Sequence, residues 1–369
     1  MKAFEVLLIL QPILTVYRLP VFSELATCRN VVVVSSSSDP KNGYGYANIA
    51  DTSIKKHYIV KQADIFGGRL NYQVGLLNIL RAVRPDKILL SANPRSISVW
   101  TVLIYARLFK IECYAHGQGI YRKGKSVKIW TKLVYKVLVY LSTKYICYTE
   151  SVRKSLLPYT NGEKLEVASN SINVEPSIFP SEIRSNIRGV LFLGRLRCGS
   201  NVMLLIEAMD KLRTFSGFND LELHLVGGGP IESALKLKFK DKSWIHWHGE
   251  IYLQSIIRSI ASRCSVGCYP GNAGLSVVHF MALSLVPIVH SQMDKHMGPE
   301  PSYVVDHING RLFDPADAER SLFDVLFDVF SNTKTMRDMQ SAALATYIEL
   351  TNPSLASRLE SIIFQSGSK

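Results

Sequence analysis

Short β-branched runs alternate with helical patterns along the chain, and this alternation constrains the fold more than any other feature. The strand-like runs are EVLLIL, NVVVVSSSS, KHYIV, KILLSA, IECYAH and KYICYTE, then GVLFLG, LELHLVG, WIHWHG, SVGCYPG and VPIVH. Helical spacing appears between them over 70–83, 98–109, 126–142, 201–213, 252–262, 275–284 and 317–329. Strand–helix alternation implies parallel sheets with helices on both faces. The polar stretch NSINVEPSIFPSEIRSNIRG at 170–189 parts the two series and reads as a linker. The 369 residues suffice for two cores. The expected class is α/β, with two Rossmann-like doubly wound domains at 1–170 and 190–350, a linker at 171–189, and a C-terminal helix over 351–369 that returns to the first domain. Ligands of such sheets bind at the carboxyl ends of the strands.

Charge is divided unevenly. Residues 1–175 hold 24 Lys and Arg against 11 Asp and Glu, whereas 176–369 hold 19 of each. The whole excess of +13 thus lies in the first half, which predicts an anionic partner there. Its densest part is YRKGKSVKIWTKLVYKVLVYLSTK at 121–144. A helix places Lys125, Lys128, Lys132 and Lys136 along one side, with Trp130, Leu133, Val134, Val137 and Leu141 over much of the rest. Such a basic amphipathic helix suits an anionic membrane surface, the alternative being a surface helix packed on its own domain.

No run approaches the roughly 18 apolar residues of a spanning helix, and MKAFEVLLILQPILTVYRLP reads as a buried first strand rather than a signal peptide. Cys28, Cys113, Cys147, Cys198, Cys264 and Cys268 form no C-x-x-C pair, which predicts reduced thiols and a cytoplasmic protein.

Three loops of the second half fall at strand ends. FLGRLRCGSN carries Gly194 and Arg195 before a helix, an arrangement suited to a diphosphate. LVGGGP, with Gly227 and Gly228, lets a ligand approach the backbone closely. The third, in YPGNAGLSVVHFMALSLVPIVH, offers the N–H groups of Gly274, Leu275 and Ser276 at a helix start, with His279 one turn on.

The string FLGRL…LIEAM…LHLVGGGP…WIHWHGEI…AGLSVVHFMALSLVPIVH…HINGRLFDPAD resembles the retaining glycosyltransferases of family 4 (group 1), which have the GT-B architecture. In the first half QPILTVYRLPVF, SANPRSISVW, AHGQGIYRKGK and CYTES resemble a bacterial branch that builds surface polysaccharides. The resemblance implies two domains facing across a cleft, a nucleotide-sugar donor on the second and a polyprenyl-diphosphate-linked glycan acceptor on the first. It also implies a cytoplasmic protein peripheral to the inner face of the cell membrane. Two departures stand out. The family's paired glutamates fall on Gly271 and His279, and its donor-clamping lysine falls on Ser200.

The expected chemistry survives these losses. Departure of a nucleoside diphosphate requires stabilisation of growing negative charge, which Arg195 and main-chain N–H groups can supply, with Arg197 in place of the lysine. His279 can bond a ribose or sugar hydroxyl, the alternative being a satisfied core histidine. Gly249 and Glu250 in HGEI are expected near the base, and Glu300 in HMGPE near sugar hydroxyls unless it is an exposed loop carboxylate. No D-x-D occurs, so no metal and no other cofactor is expected. In the first half, resemblance makes His116 of AHGQG the active-site histidine, beside Gln118. Arg18, Asn93 and Arg95 end other strands of the same sheet and are expected to bind the acceptor. The competing readings are a sugar-nucleotide epimerase of the same architecture and a degenerate nucleotide-sugar-binding subunit. Nucleic acid is not an expected partner, because no recognised motif accompanies the charge.

Overall fold

The computed structural model describes residues 5–37, 47–50, 52–120, 127–177 and 187–364. Lys125 and residues 178–186 of the expected linker lie outside them. The chain forms two units, residues 1–173 with 353–369, and residues 174–352.

Among the described residues the first unit holds nine strands: β1 (Val6–Ile13), β2 (Asn30–Ser36), β3 (Lys56–Val60), β4 (Gln62–Ile65), β5 (Leu70–Gln73), β6 (Lys87–Ser91), β7 (Glu112–Gly117), β8 (Lys144–Cys147) and β9 (Leu165–Val167). Seven make a parallel sheet in the order β3-β2-β1-β6-β7-β8-β9. The apolar N-terminal run is an interior strand, between β2 and β6. Leu7 and Ile9 join one apolar layer with Val31 and Val33, and Leu8 and Leu10 join the opposite one with Ile88 and Leu90. Burial on both faces is why these strands read as continuous apolar runs rather than alternating ones.

The helix Leu355–Phe364 packs into the first layer through Leu355, Leu359 and Ile363, against the helix Leu19–Cys28. Glu360 pairs with Arg29 at 2.9 Å, and the Tyr114 hydroxyl donates to the Ile363 carbonyl at 3.1 Å.

The second unit holds β10 (Gly189–Leu193), β11 (Glu222–Val226), β12 (Ile245–Gly249), β13 (Val266–Cys268), β14 (Val286–His290) and β15 (Arg311–Phe313). These make one parallel sheet in the order β12-β11-β10-β13-β14-β15. The α/β class is therefore correct, with two Rossmann-like sheets.

Three local expectations are corrected. The helix expected over 70–83 starts only at Leu76, because Leu70–Gln73 pairs antiparallel with Gln62–Ile65 and Gly75 turns the chain at φ +85°. Leu19–Cys28 is a helix that spacing did not reveal; Pro20 sits in its first turn, where its missing N–H costs nothing. The first part of the expected linker is packed into the structure. Asn170, Ser171, Ile172, Val174 and Ser177 are buried, and within the second unit Val174 N–H donates to the Tyr347 hydroxyl at 3.0 Å and Ser177 N–H to the Ala282 carbonyl at 2.9 Å.

Candidate functional site

In the second unit the loops after the carboxyl ends of the strands lock together through main chain. Leu196 N–H donates to the Gly228 carbonyl at 2.8 Å and Gly227 N–H to the Gly249 carbonyl at 2.7 Å. Asn272 N–H donates to the Gly199 carbonyl at 2.8 Å, and Met297 N–H to the Ala273 carbonyl at 2.8 Å. Gly227, at φ +135°, comes so close to Gly194 that a Cβ there would sit 1.9 Å from its carbonyl oxygen. Gly194, Arg195, Gly227, Gly228, Gly249, Gly274, Leu275 and Ser276 thus fall on one contiguous set of loops.

The two departures from the family pattern have local physical causes. A Cβ on Gly271 would lie 2.2 Å from the Gly199 carbonyl oxygen, so this backbone has no room for a glutamate. Ser200 is fully buried, and its hydroxyl closes the turn by donating to the Arg197 carbonyl at 2.6 Å. Arg195 and Arg197, on the same loop, are both half-buried. The Arg197 guanidinium bonds the Tyr269 hydroxyl and meets the Met297 sulfur, which fixes it against the neighbouring loop.

Two of the expected donor-binding side chains are buried. His279 is buried at the base of the helix Ser276–Ala282, and its Nε2 pairs with the Gln254 side-chain oxygen at 2.9 Å. Burial lowers its pKa to about 4, so the ring is neutral. Glu300 is only 2 % exposed, which removes the exposed-carboxylate alternative. Its carboxylate packs where a Cβ of Gly298 would be, and 3.7 Å from where one on Gly274 would be. Glu250 is exposed, with its side chain over Gly228 and one carboxylate oxygen accepting from the Tyr252 hydroxyl at 3.3 Å.

His296 was not singled out from sequence. It is fully buried, accepts from Ala273 N–H through Nδ1 at 3.1 Å and donates through Nε2 to the His290 carbonyl at 2.9 Å. That pair of bonds pins the Gly-rich loop.

In the first unit His116 ends β7 and is buried. A hydrogen bond to the Ala168 backbone holds the ring, and Nε2 has no hydrogen-bond partner. The tautomer follows: Nδ1–H donates to Ala168, and Nε2 keeps its lone pair. Burial lowers the His116 pKa to about 3, and the Arg18 guanidinium adds to that. An unsatisfied buried nitrogen costs about 1–3 kcal/mol, which a bonding hydroxyl would recover.

His116 lines a narrow recess with Arg18, Gln11, Ser91, Tyr148 and Leu359. Arg18 bonds the Asn170 side-chain oxygen and lies 5.8 Å from the Tyr148 ring centre, so two residues not singled out from sequence hold it. Gln118 follows His116 and is half-buried. Asn93 and Arg95 are not among the residues that line this recess. The Asn93 side chain accepts from Arg95 N–H at 3.1 Å, closing its own turn, while the Arg95 side chain is exposed.

The basic helix spans Ile129–Leu141. It buries Tyr135, Leu138 and Val139 but leaves Trp130 72 % exposed, with Ile129, Leu133, Val137 and Tyr140 also outward. Its neighbour Ile97–Phe109 exposes Ile104, Leu108 and Phe109, and Arg107 of that helix reaches over the Tyr140 ring. Lys128 and Lys136 are exposed, and Lys132 lies 4.5 Å above the Tyr159 ring. The helix therefore does not pack all its apolar residues on its own domain.

Among the described residues no helix is long and apolar enough to cross a membrane.

Comparison with known proteins bears mainly on the second unit. Residues 187–332 match the family described as glycosyl transferases group 1. The O-antigen biosynthesis glycosyltransferase WbnH of Escherichia coli is 29 % identical over 156 residues, which is 40 % of this chain and 44 % of the relative. The match thus spans less than half of that protein's length. Solved structures match over nearly all of both chains. HepE from Anabaena, crystallised with UDP, has a TM-score of 0.72 at 13 % identity over 99 % of this chain and 100 % of its own. The lipopolysaccharide outer core galactosyltransferase WaaB has 0.70 at 14 % over 98 % and 99 %. The chain as a whole has the fold of these GT-B structures, and its residues 187–332 match the glycosyl transferases group 1 family.

Proposed function

We propose that the protein is a retaining glycosyltransferase that moves a sugar from a nucleotide-sugar donor to a lipid-linked oligosaccharide in O-antigen or related surface-polysaccharide assembly. The observation that carries this reading is the interlocked set of loops in the second unit with Arg195 and Arg197 on it. HepE is also seen with UDP-glucose, and WbnH and WaaB act in O-antigen and lipopolysaccharide assembly by their descriptions.

In this reading the loop N–H groups and the two guanidinium groups stabilise the departing diphosphate, a fixed-dipole task that needs no reorganisation at the moment of reaction. No divalent ion is required for it. His279 and Glu300, tied beneath the loop, keep those dipoles aimed. In the first unit, the Nε2 lone pair of His116 accepts from a sugar hydroxyl, and Arg18 attracts an acceptor phosphate. Retention follows from same-face displacement through an oxocarbenium-like state, in which a leaving-group oxygen helps take the acceptor proton. A glycosidase-type pair of carboxylates is then unnecessary.

The exposed apolar and basic residues around Trp130, Lys128, Lys132 and Lys136 lie against the anionic inner face of the membrane, where the acceptor is. The test is a panel of nucleotide sugars scored by thermal stabilisation and then by turnover with the purified protein. One donor giving a stabilisation of several degrees and transfer to a polyprenyl-diphosphate glycan is the expected result. Stabilisation without hydrolysis or transfer would leave a binding subunit instead, and interconversion of the donor's sugar would make it an epimerase.

A further inference from the structure

A cluster on the other end of the second sheet takes no part in the reading above. β11 begins Glu222-Leu-His224 and β12 carries His246-Trp-His248. Alternate residues of a strand share a face, and His224 pairs directly with His246 in the parallel register. Four chemistry-bearing side chains therefore stand together. Glu222 and His224 precede the Gly-rich loop on β11, so the cluster lies toward the amino ends of the strands, whereas the donor loops follow their carboxyl ends.

We propose that Glu222, His224 and His246 bind one divalent transition cation of the zinc class. The Glu222 carboxylate lies 3.5 Å from Nε2 of His224 and 3.5 Å from Nε2 of His246, and all three ligand atoms fall within 4.8 Å of one another. Bonds of about 2.0–2.1 Å to a tetrahedral zinc put ligand atoms roughly 3.3 Å apart, close to the two carboxylate–imidazole separations of 3.5 Å. Both Nε2 atoms are buried without a hydrogen-bond partner, an arrangement that leaves two lone pairs near a carboxylate. A cation satisfies all three at once.

The other ring nitrogen of His224 is already committed, since its Nδ1 lies 3.0 Å from Nε2 of His248. A ligating histidine commonly donates its second N–H in this way, which fixes the tautomer. Two imidazoles and one carboxylate favour zinc, cobalt or nickel over calcium or magnesium, which take oxygen ligands. The fourth position belongs to water, because the Glu222 side chain is 47 % exposed. The cation would cross-link β12, at the sheet edge, to β11.

This inference does not depend on the proposed reaction, and its test reads metal rather than turnover. The full chain, freed of any affinity tag and stripped by a chelator, is titrated with Co²⁺ and with Zn²⁺. Expected are one equivalent of Co²⁺ with the visible absorption of four-coordinate geometry, and a rise in Tm of several degrees with Zn²⁺. Glu222→Gln and His246→Gln, at partly exposed positions that should fold, abolish both signals. His248→Ala weakens binding about 10- to 100-fold, and His307→Gln, at an exposed histidine elsewhere, leaves it unchanged. Absence of a stoichiometric site in the wild-type protein, or wild-type binding by Glu222→Gln and His246→Gln, overturns the proposal.

Discussion

The two units share a doubly wound plan but build their sites from different material. In the second unit the candidate site is mostly main chain, with two arginines set on it: glycines packed against carbonyl oxygens, held by N–H bonds between loops. In the first it is side chains, with His116, Arg18 and Asn170 positioned from strands and loops far apart in sequence. Charge follows the same division, because the first half carries all of the +13. Main-chain dipoles suit a diphosphate, whose shape is constant, while side chains suit partners that differ from one protein to the next. The lesson is that one fold plan can separate a generic grip from a specific one.

Substitutions in the two units should therefore fail differently. The largest expected effect is from Arg195→Ala, which lowers turnover about 10²- to 10³-fold while leaving Tm nearly unchanged. His116→Ala sharpens the contrast: transfer to acceptor falls, but donor stabilisation persists in a thermal assay. Loss of donor stabilisation in His116→Ala would break the division of labour. Replacing Lys128, Lys132 and Lys136 together by Gln should weaken binding to anionic vesicles by roughly fivefold per charge, about a hundredfold in all. Sedimentation at rising salt checks this, and unchanged partitioning would remove the membrane surface from the account.

Gly271→Glu, which restores the family's residue, should destabilise by about 1–3 kcal/mol through overpacking against Gly199. Denaturant midpoints measure it, and a neutral result would show that the loops are not close-packed. A further effect is on acid stability. His116 and His279 have folded pKa values of about 3 and about 4, below the usual 6.5 or so of the unfolded chain. Between those values the unfolded state binds more protons, so stability is full above about pH 6.5 and falls as pH drops toward 4. His279→Gln should flatten that slope in urea titrations at pH 7 and pH 5.

Much of the fold was legible because parallel strands buried on both faces leave unmistakable apolar runs. The β4–β5 hairpin was not, since its residues are polar and half-exposed and Leu70, Leu77 and Leu80 mimic helical spacing. The candidate site was legible where chemistry sits in a local motif, as in Gly194–Arg195 or His116. Asn170, which grips Arg18, lies 152 residues away from it and inside a stretch that reads as linker. No local pattern marks such a partner. The vanished glutamate could be noticed at Gly271 in the sequence, but its cause is the Gly199 carbonyl, which only folding brings there. Glu222-x-His224 and His246-x-His248 were visible as alternating pairs, yet nothing in the sequence said that the two strands are neighbours.

The helix Leu355–Phe364 carries a consequence for biosynthesis. Leu355, Leu359 and Ile363 are at most 2 % exposed within a layer otherwise assembled from residues 7 to 168. A ribosome delivers that layer almost complete, then makes the entire second unit before supplying the covering helix. The first unit must wait with an apolar flank bare, the condition in which nascent chains aggregate or recruit chaperones. A chain cut after residue 352 would keep every strand of both sheets and still lack the lid of its first core.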